Sequence, residues 1–366
     1  MALLTYAALP ADLGHDARVT AATAVLMGLW WMTEAIPIPA TALVPLVVFP
    51  QLTDVGIDTV GASYGDSVIF LFMGGFLLAL AMQRWDLHRR IALLTVRATG
   101  TQPARVVGGF MLATAFLSMW VSNTATAVMM LPIGVSVLMS ILPDCPQQGG
   151  AGPSDVTATV VESRFGTALM LGIAYAASIG SVATIIGTPP NTLLVGYMAD
   201  TFGVQIGFGQ WMLVGLPVAV VFLLVTCGLL TKVLFRPEMD RISGGRELME
   251  AELAELGPPS PGEKRVLVVF VAAAVAWIGL PLLAEEPLLS DAGVAVLAGL
   301  VLFLAPAGTG RGVRLLDWAT ALRLPWGVLL LFGGGLALSA QFTTSGLADW
   351  IGEQVSRVGP IPLVVL

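Results

Sequence analysis

The chain reads as a succession of apolar runs separated by short polar stretches. Runs long enough to cross a hydrocarbon core of about 30 Å, about 17 to 25 residues each, lie at roughly 17–35, 36–52, 67–84, 164–186, 210–234, 265–283, 292–306 and 325–342, several of them short or interrupted. This pattern predicts an all-α polytopic membrane protein. One region departs from it. Between the arms VVGGFMLATAFLSMWV (106–121) and ATAVMMLPIGVSVLMSIL (125–142) stand Ser122, Asn123 and Thr124, with Ser118 and Thr126 close by. The first arm has 16 residues, and at about 1.5 Å per residue it covers roughly 24 Å, short of the full core. The pattern therefore predicts a re-entrant hairpin over 105–142, dipping part-way into the membrane with its polar tip near the midplane.

The polar groups of that tip have two readings. Ser118, Ser122, Thr124 and Thr126 can each bond the carbonyl four residues earlier in their own helix. Asn123 fits that scheme poorly, because an amide at depth needs partners for its donors and its acceptor, and a ligand could supply them. A second interruption, SIGSVATIIGTPPNTLLVGY (178–197), predicts a broken helix over 164–200. Pro189 and Pro190 have no N–H, so the carbonyls of Ile185 and Ile186 lose their helical partners, and Gly187 lets the chain unwind. Backbone left unpaired at membrane depth is tolerated where it faces protein, water or an ion. The break is then either a packing kink or a cation site. GTPPN lacks the Lys and the glycine spacing of a phosphate loop.

The sequence also repeats itself. VIFLFMGGFLLAL (68–80) aligns with VLLLFGGGLALSA (328–340) at an offset of 260 residues, pairing Phe72 with Phe332, Gly74 with Gly334 and Gly75 with Gly335. The same offset pairs Leu87 with Leu347 and Arg97 with Arg357, in a following amphipathic stretch expected to lie along the membrane interface. Basic residues set the orientation. Arg84, Arg89, Arg90, Arg97 and Arg105, the linker Lys232, Arg236, Arg241, Arg246, Lys264 and Arg265, and the later Arg311, Arg314 and Arg323 all read as cytoplasmic. The stretches 53–66, 200–209 and 284–291 carry acids such as Asp54, Glu285 and Glu286 but no Lys or Arg, and read as external. The two copies then cross in opposite senses, the inverted-repeat architecture of many secondary transporters. The alternative is that two FxGG spans look alike because glycine packs helices closely. On the repeat reading, the counterpart of Ser122 falls near position 382, past Leu366, and the short apolar start "ALLTYAAL" reads as the stump of a span.

Composition agrees with the pattern. With 56% hydrophobic and 11% charged residues and a mean hydropathy of +0.87, the chain lies far from soluble globular proteins, in which about 25% of residues are charged. The formal charge of −7 comes largely from acids in connecting segments, so nucleic acid is not an expected partner. Cys145 and Cys227 lie in different segments without Cys or His neighbours at metal spacing, so neither a disulfide framework nor a zinc site is implied. The first eleven residues lack a basic start and support a cleaved signal weakly. His15 and His88 read as terminal or loop residues, and Glu34 as a solvated helix end.

The motifs SNTATAVMMLP (122–132), GTPPN (187–191), WWMTEAIPIPATALVPLVVFP (30–50) and the paired F-x-GG spans resemble the divalent anion:sodium symporter family, the carboxylate and sulfate transporters of the broader ion transporter superfamily. The resemblance implies an inverted-repeat transporter with a re-entrant hairpin facing a broken helix. Carried over, it gives Ser118, Ser122 and Asn123 with the Gly187 carbonyl to one sodium ion, and Asn123, Thr124, Thr188 and the Pro189 turn to the substrate carboxylate. It implies no cofactor besides sodium as coupling ion, a homodimer, and a multi-pass location in the cell inner (plasma) membrane. The organisation expected is scaffold spans and an interfacial helix over 1–104, a transport unit over 105–234 (hairpin 105–142, broken helix 164–200, span 210–234), a cytoplasmic linker over 235–264, and an incomplete second repeat from 265 to 366.

The chemistry of the two motifs explains why such a site would be sodium-coupled. Neither contains Lys, Arg or His, yet a divalent anion entering a low-dielectric region needs compensating charge. Hydroxyl, amide and carbonyl oxygens hold a hard cation, which then offsets the anion, while helix amino ends add partial positive charge. The function expected is symport of a dicarboxylate such as succinate, or of citrate or sulfate, with sodium, by an elevator-type motion in the lipid bilayer. A sodium-independent exchanger and an oxyanion or arsenite efflux protein of the same superfamily are the alternatives. An embedded hydrolase is disfavoured, since no Ser/His/Asp, Glu/His or paired Asp set occurs at depth.

Overall fold

A computed structural model describes residues 1–100, 102–141, 163–237, 245–283, 288–310 and 312–357; Cys145, Arg241, Glu285, Glu286 and Arg311 lie outside them. Among the described residues the fold is helical, with one isolated bridge between Pro306 and Arg314. Among the described residues, four helices are long and apolar enough to cross a membrane: Ile57–Arg84, Phe208–Leu234, Pro261–Leu283 and Trp326–Thr344. The run at 17–35 folds as the helix His15–Thr33, ended by Glu34 in the left-handed region at φ 47°, and Glu34 is exposed. The run at 36–52 is divided into Ile38–Thr41 and Val44–Leu52. Its prolines explain the division, since Pro37, Pro39 and Pro45 sit at helix starts, where a missing N–H costs nothing. The run at 292–306 folds as Asp291–Leu304, with Ser290 Oγ accepting a bond of 3.1 Å from the Gly293 N–H.

The chain divides into two compact units. The first comprises Met1–Met73, Thr192–Ile206 and Pro325–Leu366. Its core gathers Val19, Phe49, Val60 and Ala337, with Tyr6, Leu46 and Tyr64 packed against them. Gly334 is required there by a close approach of two backbones: a Cβ on it would stand 2.3 Å from the Ala42 carbonyl oxygen. Tyr64 closes the same spot by donating its hydroxyl to that carbonyl at 2.5 Å. Phe72 and Phe332, equivalent residues of the two repeat copies, pack with ring centroids 5.0 Å apart.

The second unit comprises Gly74–Asn191 and Gly207–Leu324. The helices Pro103–Ser118, Asn123–Ile141 and Arg164–Ser181 share its main core, which includes Phe110, Met111, Leu117, Phe165, Leu169 and Ile173. Trp120 caps one end of the hairpin among Phe208, Phe270 and Trp277, with centroids 4.7 Å apart to Phe270 and 6.0 Å to Phe208. The linker is tied down through its acids: Glu252 accepts from Arg89 at 2.5 Å, and the buried Glu263 accepts from Arg90. His88 corrects the sequence expectation. It lies not in a loop but in the helix Leu87–Thr99, buried, with Nδ1 3.1 Å from the Met82 carbonyl oxygen, and burial pushes its pKa down, against smaller opposing effects of that bond and Asp86.

The two FxGG stretches are followed by similar local backbone geometry. Ser67–Arg84 and Trp326–Thr344 are each followed by an amphipathic helix, Leu87–Thr99 and Leu347–Arg357. At the same offset, Asp86 and Gly346 both take positive φ, 54° and 76°. The Asp86 N–H bonds Gln83 O at 3.2 Å and the Gly346 N–H bonds Thr343 O at 3.2 Å, while Arg90 N to Asp86 O and Trp350 N to Gly346 O both measure 3.1 Å. The equivalent glycines are used in the same way. A Cβ on Gly74 would stand 2.4 Å from the Ala295 backbone, as one on Gly334 would from Ala42.

Candidate functional site

Four helix ends meet at the polar motifs, all within the second unit. The first hairpin arm ends at Ser118 and the second begins at Asn123, so Met119 to Ser122 form the turn. The first half of the broken helix ends at Ser181, a turn of 3-10 helix covers Ile185–Gly187, and the second half begins at Pro189. Helix carboxyl ends carry partial negative charge and amino ends partial positive charge. Ser118 and Ser181 thus stand where a cation is favoured, and Asn123 and Pro189 where an anion is.

The two motifs are bonded to each other. Ser118, fully buried, has its Oγ 2.6 Å from the Ala177 carbonyl oxygen and 2.9 Å from Asn123 Oδ1. One hydroxyl proton faces two acceptors there, so three oxygens converge on a single hydrogen, the kind of donor-poor cluster that suits a hard cation. From the other side, Thr184 donates to the Met119 carbonyl in the hairpin turn. The arms beneath are in backbone contact, since a Cβ on Gly180 would meet the Ala115 carbonyl oxygen at 2.2 Å, close packing of the kind small residues permit in membranes.

The remaining predicted residues take distinct places. Ser122 is exposed in the turn and its Oγ accepts from the Ala125 N–H at 3.4 Å. Thr124 is exposed in the first turn of the second arm, and Asn123 is half-buried. Gly187 is buried where its chain doubles back, and a Cβ on it would lie 2.2 Å from the Ser181 carbonyl oxygen. Thr188 and Pro189 are half-buried at the start of the second half-helix. Ser118 reaches across to another helix, which sets aside for this residue the reading in which each hydroxyl bonds its own helix.

The position of the break is a second correction. The helix ends at Ser181, well before the prolines, and Pro189 and Pro190 open the following helix. Tertiary donors account for this. The carbonyls released by the break are taken up by Asn191, whose Nδ2 donates to Ser181 O at 3.0 Å and to Thr184 O at 2.8 Å, and by Trp211, whose Nε1 donates to Val182 O at 2.9 Å. Neither residue was singled out by the sequence. Asn191 lies within the GTPPN motif, and an amide directly after a proline pair was the signal available; nothing in the sequence places Trp211 beside the break.

An all-α, multi-pass membrane protein whose broken helix and polar hairpin tip converge on one uncharged site has the form of a transporter rather than an enzyme. The chain belongs to the sodium:sulfate symporter family, whose transmembrane-region model matches residues 1–360. Among its relatives, the sodium-dependent dicarboxylate transporter SdcS of Staphylococcus saprophyticus is 40% identical over 363 residues, 98% of this chain and 68% of the relative. The transporter of the same name in Staphylococcus aureus strain USA300 is 40% identical over 364 residues, 97% of this chain and 68% of the relative.

Proposed function

We propose that the protein carries a dicarboxylate across the plasma membrane together with sodium, by symport. The observation that carries this reading is the uncharged oxygen cluster at the hairpin tip, bonded through Ser118 and Thr184 to the broken helix. With no cationic side chain in either motif, an anion gains its counter-charge from a bound cation and from the two helix amino ends. In this proposal Ser118, Ser122, Asn123 and the Gly187 carbonyl hold sodium, and Asn123, Thr124, Thr188 and the Pro189 turn receive a carboxylate. Cation binding then builds the anion site, which couples the two fluxes. The names of the relatives support a dicarboxylate and sodium; the family's name keeps sulfate in the panel of anions to be tested. An elevator-type movement of the hairpin and broken helix, an inverted arrangement of the repeat copies with 235–264 in the cytoplasm, and a homodimer complete the reading.

The test is uptake of labelled succinate into proteoliposomes across sodium concentrations, with sulfate and citrate as competitors. Ser122→Ala is expected to weaken apparent sodium affinity and to recover uptake when sodium is raised. Asn123→Ala removes a contact to both ion and anion and leaves neighbours unpaired, a loss of about 1–3 kcal/mol that sodium alone does not restore. Uptake that persists without sodium would instead identify an exchanger, and sodium-independent outward flux an efflux protein.

A further inference from the structure

Thr126 is fully buried, and its hydroxyl has no hydrogen-bond partner. Its backbone is ordinary: the Thr126 N–H bonds the Ser122 carbonyl at 2.9 Å, a regular turn of the helix Asn123–Ile141. A helical threonine in this position normally turns its hydroxyl back to the carbonyl four residues earlier. Thr20, Thr23, Thr95, Thr114 and Thr231 all do so, at 2.6 to 2.8 Å. Thr126 does not, although its acceptor, the Ser122 carbonyl, is correctly placed for the N–H of the same residue. Two oxygens at the hairpin tip, the Thr126 hydroxyl and the Ser122 carbonyl, therefore keep lone pairs that they could have spent on each other.

Residues three apart in a helix are neighbours on its surface, which puts Thr126 one turn below Asn123 and the hairpin tip. A buried hydroxyl left unpaired is costly, and the cost is offset when something else occupies the oxygen. A hard cation is suited to the task, because it binds the oxygen's lone pairs directly. We infer that Thr126 supplies a further oxygen to the coupling cation at the hairpin tip, beyond Ser118, Ser122, Asn123 and Gly187. This rests on the sodium-coupled reading proposed above. Thr126 then forms the floor of the cation site.

The inference makes a prediction of opposite signs in two states. Thr126→Val keeps the shape and removes the hydroxyl, so without sodium the protein should melt at the same temperature or higher, an orphaned polar atom having been deleted. With sodium the variant should lose part of the ion's stabilisation. The experiment is thermal melting of the purified full chain in detergent, with sodium chloride exchanged for N-methylglucamine chloride at constant ionic strength. For Thr126→Val the sodium concentration giving half the stabilisation should rise about fivefold or more, the effect of losing one hydrogen-bond-sized contact to a charge. Thr126→Ser should stay within about twofold of the wild type, and Thr126→Ala should shift as Val does, which guards against a folding defect peculiar to Val. Thr41, likewise buried without a partner but in the other unit, serves as control: Thr41→Val should leave the sodium midpoint unchanged. A wild-type midpoint in Thr126→Val and Thr126→Ala overturns the role of Thr126 and leaves the sodium-coupled reading standing. A wild-type protein that sodium does not stabilise overturns both.

Discussion

The two FxGG stretches end in the same local turn and differ in what surrounds it. Asp86 and Gly346 make the same left-handed turn with matching hydrogen bonds, and an amphipathic helix follows each. After the first copy, the helix Leu87–Thr99 buries Leu87, His88, Ala92, Leu93 and Val96, and its arginines are engaged by Glu250, Glu252 and Glu263. After the second, Leu347–Arg357 buries Leu347, and Arg357 pairs with Glu353 of its own helix at 3.9 Å. The local code thus specifies the turn and the helix in both places. The first helix is buried through its apolar face, where Ala92, Leu93 and Val96 join the core of Val107, Phe110 and Met111, and the linker acids engage the arginines on its polar side.

The shared part should be the more fragile. Gly74→Ala and Gly334→Ala each drive a Cβ into another backbone, at 2.4 Å and 2.3 Å, where no side chain can rotate away. Both are expected to abolish recovery of monodisperse protein after detergent extraction, and tolerance at one but not the other would break the equivalence of the copies. The unshared part follows. Arg90→Ala strands the buried Glu263 and should cost about 3 kcal/mol, largely restored by adding Glu263→Gln. Arg357→Ala, which breaks an exposed pair, should change stability by no more than about 0.5 kcal/mol. Comparable melting-temperature losses for the two arginine variants would refute the asymmetry. The smallest test sharpens the turn itself: Gly346→Ala should destabilise by about 1 kcal/mol, because φ is positive there, while Asp86→Gly at the same turn should be neutral to within a few tenths.

What the sequence discloses follows the range of the interactions. The FxGG copies and their trailing amphipathic helices are legible because periodicity and glycine pairs are local signals, and the hairpin turn is legible because Ser122-Asn123-Thr124 interrupts apolar arms. The end of the broken helix is displaced from the place the prolines suggest. Ser181 terminates it because Asn191, Trp211 and the Thr184 bond to Met119 take hold of the chain there, and these partners are brought in by tertiary packing. His88 departs from the loop its neighbours suggest for a related reason: it sits just past the charged residues Arg84 and Asp86, while the apolar face of its helix continues to Val96. Thr126 is the complementary case, a residue whose type is ordinary and whose unpaired state exists only in three dimensions.

The hairpin between Val106 and Ile141 and the broken helix between Phe165 and Ala199 contain no Asp, Glu, Lys, Arg or His. A membrane potential acts on charge, at about 2.3 kcal/mol per elementary charge moved through 100 mV, and these two elements carry theirs only at their ends, on Arg105, Arg164 and Asp200. On the proposed function, every charge at the site itself is cargo. Charges fixed to the protein return to their starting places over a full cycle, and the current per cycle would count the sodium ions carried in excess of the anion's charge.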